Sequence, residues 1–384
     1  MNVVLSIEAI HPPLAGVGRY AWELATRLPM QSEINSVRFL SDGFWSALPS
    51  LDLGSNQQNS RSGSSLRQRL GSSQLVSYAY GKLVPWLAKR SLSKCTDSIF
   101  HGPNYLLPDT SMRSLVTVHD LSVFRFPQWH PATRVRRAMK VIPESVRRAS
   151  MILTDSLATK QEIMQEFSLR TDQVHAVPLG VDSIFRPRTK EELIPLLKQF
   201  GLKPDGYSFF VSTIEPRKNL TNLLAAYANL PVKVRSRWPL VLVGAPGWQS
   251  EEIHKDIDRA QREGWLKYLG FVDQNILPAL YAGCRLFTYP SWYEGFGLPI
   301  AEAMASGVPV LTSNCSSMPE VADGAAMLVE PGDVASICKG ILQALEDKDW
   351  RSNAIESGRI RASALTWDAC IGNTVMAYNV VKNR

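Results

Sequence analysis

No stretch of this chain holds the roughly 18 consecutive apolar residues that a membrane-crossing helix needs. The N-terminus runs from Met1 straight into Val3-Val4-Leu5-Ser6-Ile7, without a basic segment or a cleavage site, so it reads as a strand rather than a signal peptide. The five cysteines, Cys95, Cys284, Cys315, Cys338 and Cys370, are scattered, and none is paired at metal-ligand spacing. That excludes a zinc framework and suits small buried thiols in a reducing cytosol. Helix-turn-helix, RNA-binding sheet and zinc-finger patterns are all missing, which argues against nucleic acid as a partner. Acidic residues are scarce in one place: between Arg125 and Arg148 only Glu144 opposes Arg134, Arg136, Arg137, Lys140 and Arg147. Nucleic acid, as the remote alternative, an anionic membrane surface or a plain solvated helix face would each account for that cluster.

What is present suits a packed enzyme. The 384 residues are enough for two domains, and 45% of them are apolar. Short apolar runs alternate with helical patterns. Val3 to Ile7, Ser36 to Leu40, Ser98 to His101, Leu115 to His119 and Met151 to Thr154 read as strands. Gly18 to Leu28 and Ala132 to Ala149 read as helices. Leu53 to Ser73, rich in Ser, Gln and Gly, reads as a loop, and Ser72 to Leu92 as an amphipathic surface helix weakened by Gly81 and Pro85. The rhythm breaks from Val174 to Pro204. It restarts with strands at Ser208 to Ser212, Leu240 to Val243, Tyr268 to Phe271, Leu286 to Tyr289 and Val308 to Thr312. Such alternation predicts two parallel, doubly wound sheets with a ligand cleft at their carboxyl edges.

Three segments carry chemistry. Glu294-Gly295-Phe296-Gly297-Leu298-Pro299-Ile300-Ala301-Glu302 sets two carboxylates seven residues apart, with Pro299 suited to a first helical turn and Gly307 to the helix end. A Gly-rich turn feeding a helix N-terminus aims free amides at an anion such as a phosphate. Glu294 before the helix and Glu302 a turn inside it suit hydroxyl groups to either side. Glu215-Pro216-Arg217-Lys218-Asn219 follows the strand ending at Ser212, so Arg217 and Lys218 stand at the same sheet edge, where they stabilise charge developing on a leaving diphosphate. Lys218 is expected to carry no core packing, and Asn219 to cap the next helix. His119-Asp120 ends a strand of the first half and faces the cleft from the other side. Gly16-Val17-Gly18-Arg19-Tyr20-Ala21 matches the dinucleotide pattern only formally, because Glu8 to Ala15 separate it from the strand.

Together with Val177-Pro178-Leu179-Gly180-Val181-Asp182 and Val243-Gly244, these pieces resemble the family 4 glycosyltransferases over nearly the whole chain. The nearest subset looks like bacterial O-polysaccharide mannosyltransferases and D-rhamnosyltransferases. The resemblance implies the GT-B fold: an acceptor-binding Rossmann-like domain over 1–178, a donor-binding one over 179–365, and a last helix, 366–384, packed back on the first. Arg217 and Lys218 would hold the donor diphosphate. Glu294, with Gly295, Phe296, Gly297 and Leu298, would hold the donor sugar, and Glu302 the ribose. His119 would meet the sugar's outer hydroxyl, and Gly16 and Gly18 would line the donor–acceptor junction. Gly244, Phe271 and Val272 would lie at the base. Implied too are a GDP-linked donor, a lipid-linked saccharide acceptor, retention of anomeric configuration, and neither cofactor nor metal. An epimerase of nucleotide sugars or a sugar phosphorylase on the same fold is the alternative. An enzyme of lipid-linked acceptors would work at the cytoplasmic face of the inner membrane, reached through Leu66 to Leu92 and through Val123 to Arg148, where Phe124, Phe126 and Trp129 accompany the arginines.

Overall fold

The computed structural model describes residues 1–12, 14, 16–49, 83–84 and 86–384. The expected loop over 53–73 lies outside the described residues, as does most of the expected surface helix over 72–92, of which 86–92 is helical. Among the described residues there are two sheets. The first takes strands β1 (Asn2–Ser6), β2 (Ser36–Ser41), β3 (Phe44–Ser46), β4 (Ser98–Gly102), β5 (Ser114–Thr117), β6 (Met151–Thr154) and β7 (Val174–Ala176) in the order 3-2-1-4-5-6-7. The second takes β8 (Ser208–Val211), β9 (Leu240–Val243), β10 (Leu266–Tyr268), β11 (Leu286–Tyr289), β12 (Val310–Ser313) and β13 (Ala326–Val329) in the order 10-9-8-11-12-13. Every pairing is parallel except β2 with β3. β5, β6, β9 and β11 are largely apolar runs buried along their whole length, as parallel strands covered by helices on both faces must be, and β4 is buried after its first residue, with His101 among its buried residues.

Two expectations shift. Val174–Ala176, where the alternation breaks, is the edge strand β7 paired to β6. β10 ends at Tyr268, before Gly270 takes a positive φ of 65°.

Strand order reverses between β1 and β4 in one sheet and between β8 and β11 in the other, and loops leaving the carboxyl ends there frame a crevice. The helices that matter to it are α1 (Val17–Arg27), α2 (Ala132–Arg148), α3 (Leu157–Glu166), α4 (Leu220–Ala228), α5 (Leu298–Ala305) and α6 (Trp367–Lys382). α6, though last in the chain, packs on α1, and its Tyr378 hydroxyl lies 2.7 Å from Nδ1 of His101 on β4. Burial holds His101 down at about 3, so it stays neutral.

Candidate functional site

The loops after β8 and β11 close on one another. Lys218 Nζ donates to Glu294 Oε1 at 2.7 Å and to the Tyr289 hydroxyl at 2.9 Å. Arg217 Nη1 reaches Glu294 Oε2 at 3.1 Å and the Tyr293 carbonyl at 2.9 Å, and its Nη2 lies 3.0 Å from Glu215 Oε1. Segments 76 residues apart in sequence thus form one buried ionic cluster. Burial opposes charge on Glu294, yet Lys218 and Arg217 hold its carboxyl below the ordinary value. Lys218 is only 7% exposed, so the expectation that it carries no core packing is wrong: its ammonium is the shared donor of two buried oxygens. Asn219 departs as well. It occupies the N-cap of α4 with φ 58°, but its amide donates to the carbonyls of Pro290 and Pro331 instead of capping the helix.

α5 starts as its sequence demands. Gly297 is its N-cap at φ 99°, a conformation that a Cβ disfavours, and Pro299 sits in its first turn. At the other end Gly307 N–H bonds Met304 O and Val308 N–H bonds Ala303 O, a Schellman closure. Glu302, a turn inside, accepts from the Tyr281 hydroxyl at 2.8 Å, and burial lifts its carboxyl to about 7. Arg19 and Asp182 lie near it, paired with each other across the domains.

The first domain meets this loop directly. A Cβ on Gly295 would stand 1.9 Å from the His119 carbonyl oxygen. The Gly295 carbonyl accepts from the hydroxyls of Ser156 at 2.7 Å and Thr159 at 3.1 Å. The Tyr293 hydroxyl bridges Glu162 on α3 at 2.5 Å and the Leu121 amide at 3.1 Å. Glu320 caps α3, its two oxygens accepting from the Leu157 and Ala158 amides at 2.8 and 3.0 Å. The domains are therefore drawn together at the site.

His119 does not offer a free ring nitrogen to a substrate, contrary to expectation. Nε2 donates to the Pro103 carbonyl at 2.8 Å and Nδ1 lies 2.7 Å from Asp155 Oδ2. Burial works against the charged ring, but Asp155 and the Pro103 carbonyl raise it above the ordinary imidazole value, while burial raises Asp155. Asp120 caps its own turn through the Ser122 amide at 2.9 Å and hydroxyl at 2.7 Å. Burial pushes it up, and Arg217 across the cleft pulls it below the ordinary carboxyl range.

The aromatic residues read as membrane-facing turn elsewhere. Phe126 stacks on Trp129 at 4.4 Å and meets Tyr293 at 5.6 Å; Trp129 lies 6.3 Å from Trp292; Phe124 meets Phe167 at 5.7 Å. Phe126 and Trp129 thus meet rings of the facing domain, while Phe124 meets a ring of its own domain. Arg134 belongs to the cleft too, 5.3 Å above the Trp248 ring.

A cavity of about 730 Å³ lies between the sheets. Its walls include His119, Arg217, Lys218, Glu294, Gly295, Phe296, Gly297, Leu298 and Glu302, with Gly16, Gly244, Phe271 and Val272 toward its ends. Gly18 does not line it; its Cα packs where a Cβ would meet the Ala9 carbonyl at 2.9 Å. Two Asp-x-Asp triplets occur, Asp256-Ile257-Asp258 and Asp347-Lys348-Asp349, and neither lines the cavity. Asp155, Tyr289, Tyr281 and Arg134 do, and the sequence reading did not name them as site residues. For Asp155 a signal existed: it follows Thr154 at the carboxyl end of β6.

Two doubly wound sheets facing across a charged cleft, with an arginine–lysine pair and a helix N-terminus at its floor, define a GT-B glycosyltransferase. Residues 197–361 match the family model for glycosyl transferases group 1. The chain is 40% identical to the O-antigen chain mannosyltransferase B of Escherichia coli, over 99% of its own length and 100% of that protein's. It is 32% identical to the serotype-specific mannosyltransferase WbdA of Escherichia coli over 57% of its length, which spans 27% of that larger protein. Among solved structures, Anabaena Alr3699/HepE in complex with UDP and glucose superposes with a TM-score of 0.68 at 18% identity, covering 99% of this chain and 100% of that one. The chain belongs to the group 1 glycosyl transferases, and it is a hexosyltransferase.

Proposed function

We propose that this enzyme moves a mannose-type sugar, mannose or D-rhamnose, from a GDP-linked donor to a growing lipid-linked O-antigen chain, with retention of configuration and without a metal or other cofactor. The observation that carries the reading is its likeness, end to end, to an O-antigen mannosyltransferase. The cleft chemistry is consistent with it. Arg217 and Lys218 take the diphosphate, the amides at the start of α5 face it, Glu294 turns to sugar hydroxyls, and Glu302 takes the ribose. The acceptor approaches from the first domain, whose carboxyl edge holds a second, polar cavity of about 360 Å³ with Glu8, His11, Asn104 and Arg137 in its walls.

Retention with Glu294 given to the sugar hydroxyls, and so not serving as a nucleophile, favours front-face displacement. The bond from C1 to the phosphate oxygen breaks as the acceptor oxygen bonds C1, and the acceptor's proton passes to the departing phosphate, whose charge Arg217 and Lys218 stabilise. The protein would work at the cytoplasmic face of the inner membrane, held by the outward side of α2. Incubation with GDP-mannose, GDP-rhamnose and UDP-sugars tests the donor: a rise in melting temperature and transfer to a short mannosyl acceptor are expected with a GDP-sugar. A response to UDP-sugars alone refutes the donor class, and a glycosyl group trapped on Glu294 refutes front-face displacement. Interconversion of the donor without acceptor would favour an epimerase instead.

A further inference from the structure

Asp155 is the buried carboxylate that the assignment above leaves without work. It is 3% exposed, lines the cleft, and follows β6 where the donor loop crosses to the first domain. Its neighbours on either side of that crossing are fixed: Ser156 holds the Gly295 carbonyl, and Gly295 abuts the His119 carbonyl. One oxygen, Oδ2, is occupied by His119 Nδ1 at 2.7 Å. The other, Oδ1, is buried and has no hydrogen-bond partner among the described residues. His119 cannot swing away to relieve it without breaking its own bond to the Pro103 carbonyl at 2.8 Å. Whichever heavy atom holds the shared proton, it lies between Nδ1 and Oδ2, so Oδ1 is left as an acceptor only. A buried carboxylate oxygen without a donor is costly, so it calls for a donor from outside the described side chains, and its place in the cleft wall puts a bound substrate within reach.

We propose that Asp155 Oδ1 accepts a hydrogen bond from a hydroxyl of the transferred sugar, making Asp155 a specificity-determining residue and His119 the positioning residue that holds its carboxylate in place. This rests on the transfer reading above. Two carboxylates then grip the sugar from opposite domains, Glu294 from the second and Asp155 from the first. Their joint engagement requires the closed cleft that the Gly295 contacts create.

The test pairs deletion of the side chain with deletion of the hydroxyl. The parent, Asp155→Ala and Asp155→Asn are assayed for kcat/KM with GDP-mannose and with each of its monodeoxy analogues. In the parent one analogue should lose roughly 10- to 150-fold, the worth of one hydrogen bond to a charged group. In Asp155→Ala that same analogue and GDP-mannose should be used equally well, because the hydroxyl has lost its acceptor. A purely structural role would slow every donor by one factor and leave the ratios unchanged, and that result overturns the assignment. Should Asp155→Ala fail to fold, Asp155→Asn keeps the shape and a neutral acceptor. It should shrink the penalty for the same hydroxyl to a few-fold, and an undiminished penalty again overturns the proposal. Titration of the parent separates the two levels: if it binds neither GDP-mannose nor GDP-rhamnose, the transfer reading fails and this one with it; if it binds and transfers but shows no coupling, only Asp155 is misassigned.

Discussion

Removing the Lys218 ammonium should damage stability and turnover together, because one group serves both. In Lys218→Ala, Glu294 keeps Arg217 at 3.1 Å but loses its 2.7 Å donor, and the Tyr289 hydroxyl loses its partner at 2.9 Å. Breaking a buried ion pair by deleting one partner costs about 3–5 kcal/mol. The surviving arginine puts this case at the low end, about 3 kcal/mol, or roughly 6–12 °C of melting temperature for a domain of this size. Calorimetry or thermal unfolding monitored by circular dichroism reads that shift. Lys218→Met combined with Glu294→Gln leaves no unpaired charge on that side, and should recover most of the stability while remaining inactive. Refutation has two forms: a Lys218→Ala variant that melts within about 2 °C of the parent, or a double variant no more stable than the single. Either would mean that Lys218 is solvated and free to swing, as the sequence alone suggested.

Other outcomes follow from the same geometry. Glu302 titrates near 7 when folded, above its unfolded value, so its contribution to stability is full below the unfolded pKa and declines as pH rises through about 7; Glu302→Gln should flatten that decline in ligand-free melting curves and weaken nucleotide binding more than turnover. Gly295→Ala should cut kcat/KM by about two orders of magnitude or more while each domain stays folded, because a methyl 1.9 Å from the His119 carbonyl forbids closure; a fully active variant would show that the interface yields. Arg136, Lys140 and Arg147 are exposed on α2, whereas Arg134 faces the cleft; changing those three to Glu should abolish salt-sensitive binding to anionic liposomes and spare transfer to a short soluble acceptor.

The fold was legible because parallel strands announce themselves: Val3 to Leu5, Leu240 to Val243 and Leu286 to Tyr289 are runs that only a twice-covered sheet can bury. The short edge strand β7 was not, since Val174–Ala176 carries His175 and leads into Pro178, which mimics a linker. Within the site, Glu294, Arg217 and Lys218 stood out through local spacing. Their contact with each other did not, because 76 residues and three strands intervene. The aromatic cluster shows the same limit more sharply. Phe126 and Trp129 beside arginines have the composition of a membrane anchor, and composition cannot tell a lipid headgroup from Tyr293 and Trp292 of a facing domain.

The charges of the cleft lead to one more measurable consequence. Arg217 and Lys218 are balanced by Glu215 and Glu294, so the cluster has no surplus positive charge to offer a diphosphate. A nucleotide can draw on both cations only by loosening them from Glu294, which would strand a buried carboxylate. A donor sugar prevents that, because its hydroxyls supply the hydrogen bonds that the cations withdraw. GDP brings the phosphates without the hydroxyls; GDP-mannose brings both. The parent should therefore favour GDP-mannose over GDP by about tenfold or more, the worth of a hydrogen bond to a charged acceptor. In Glu294→Gln no charge is stranded, so GDP should bind at least as tightly as to the parent while the preference for the sugar nucleotide collapses and turnover falls further than in Glu302→Gln. Calorimetric titration of both ligands against both proteins measures the ratio directly. A preference unchanged by Glu294→Gln would mean that the carboxylate stays bound to its cations throughout the reaction, and that the sugar is held by other groups.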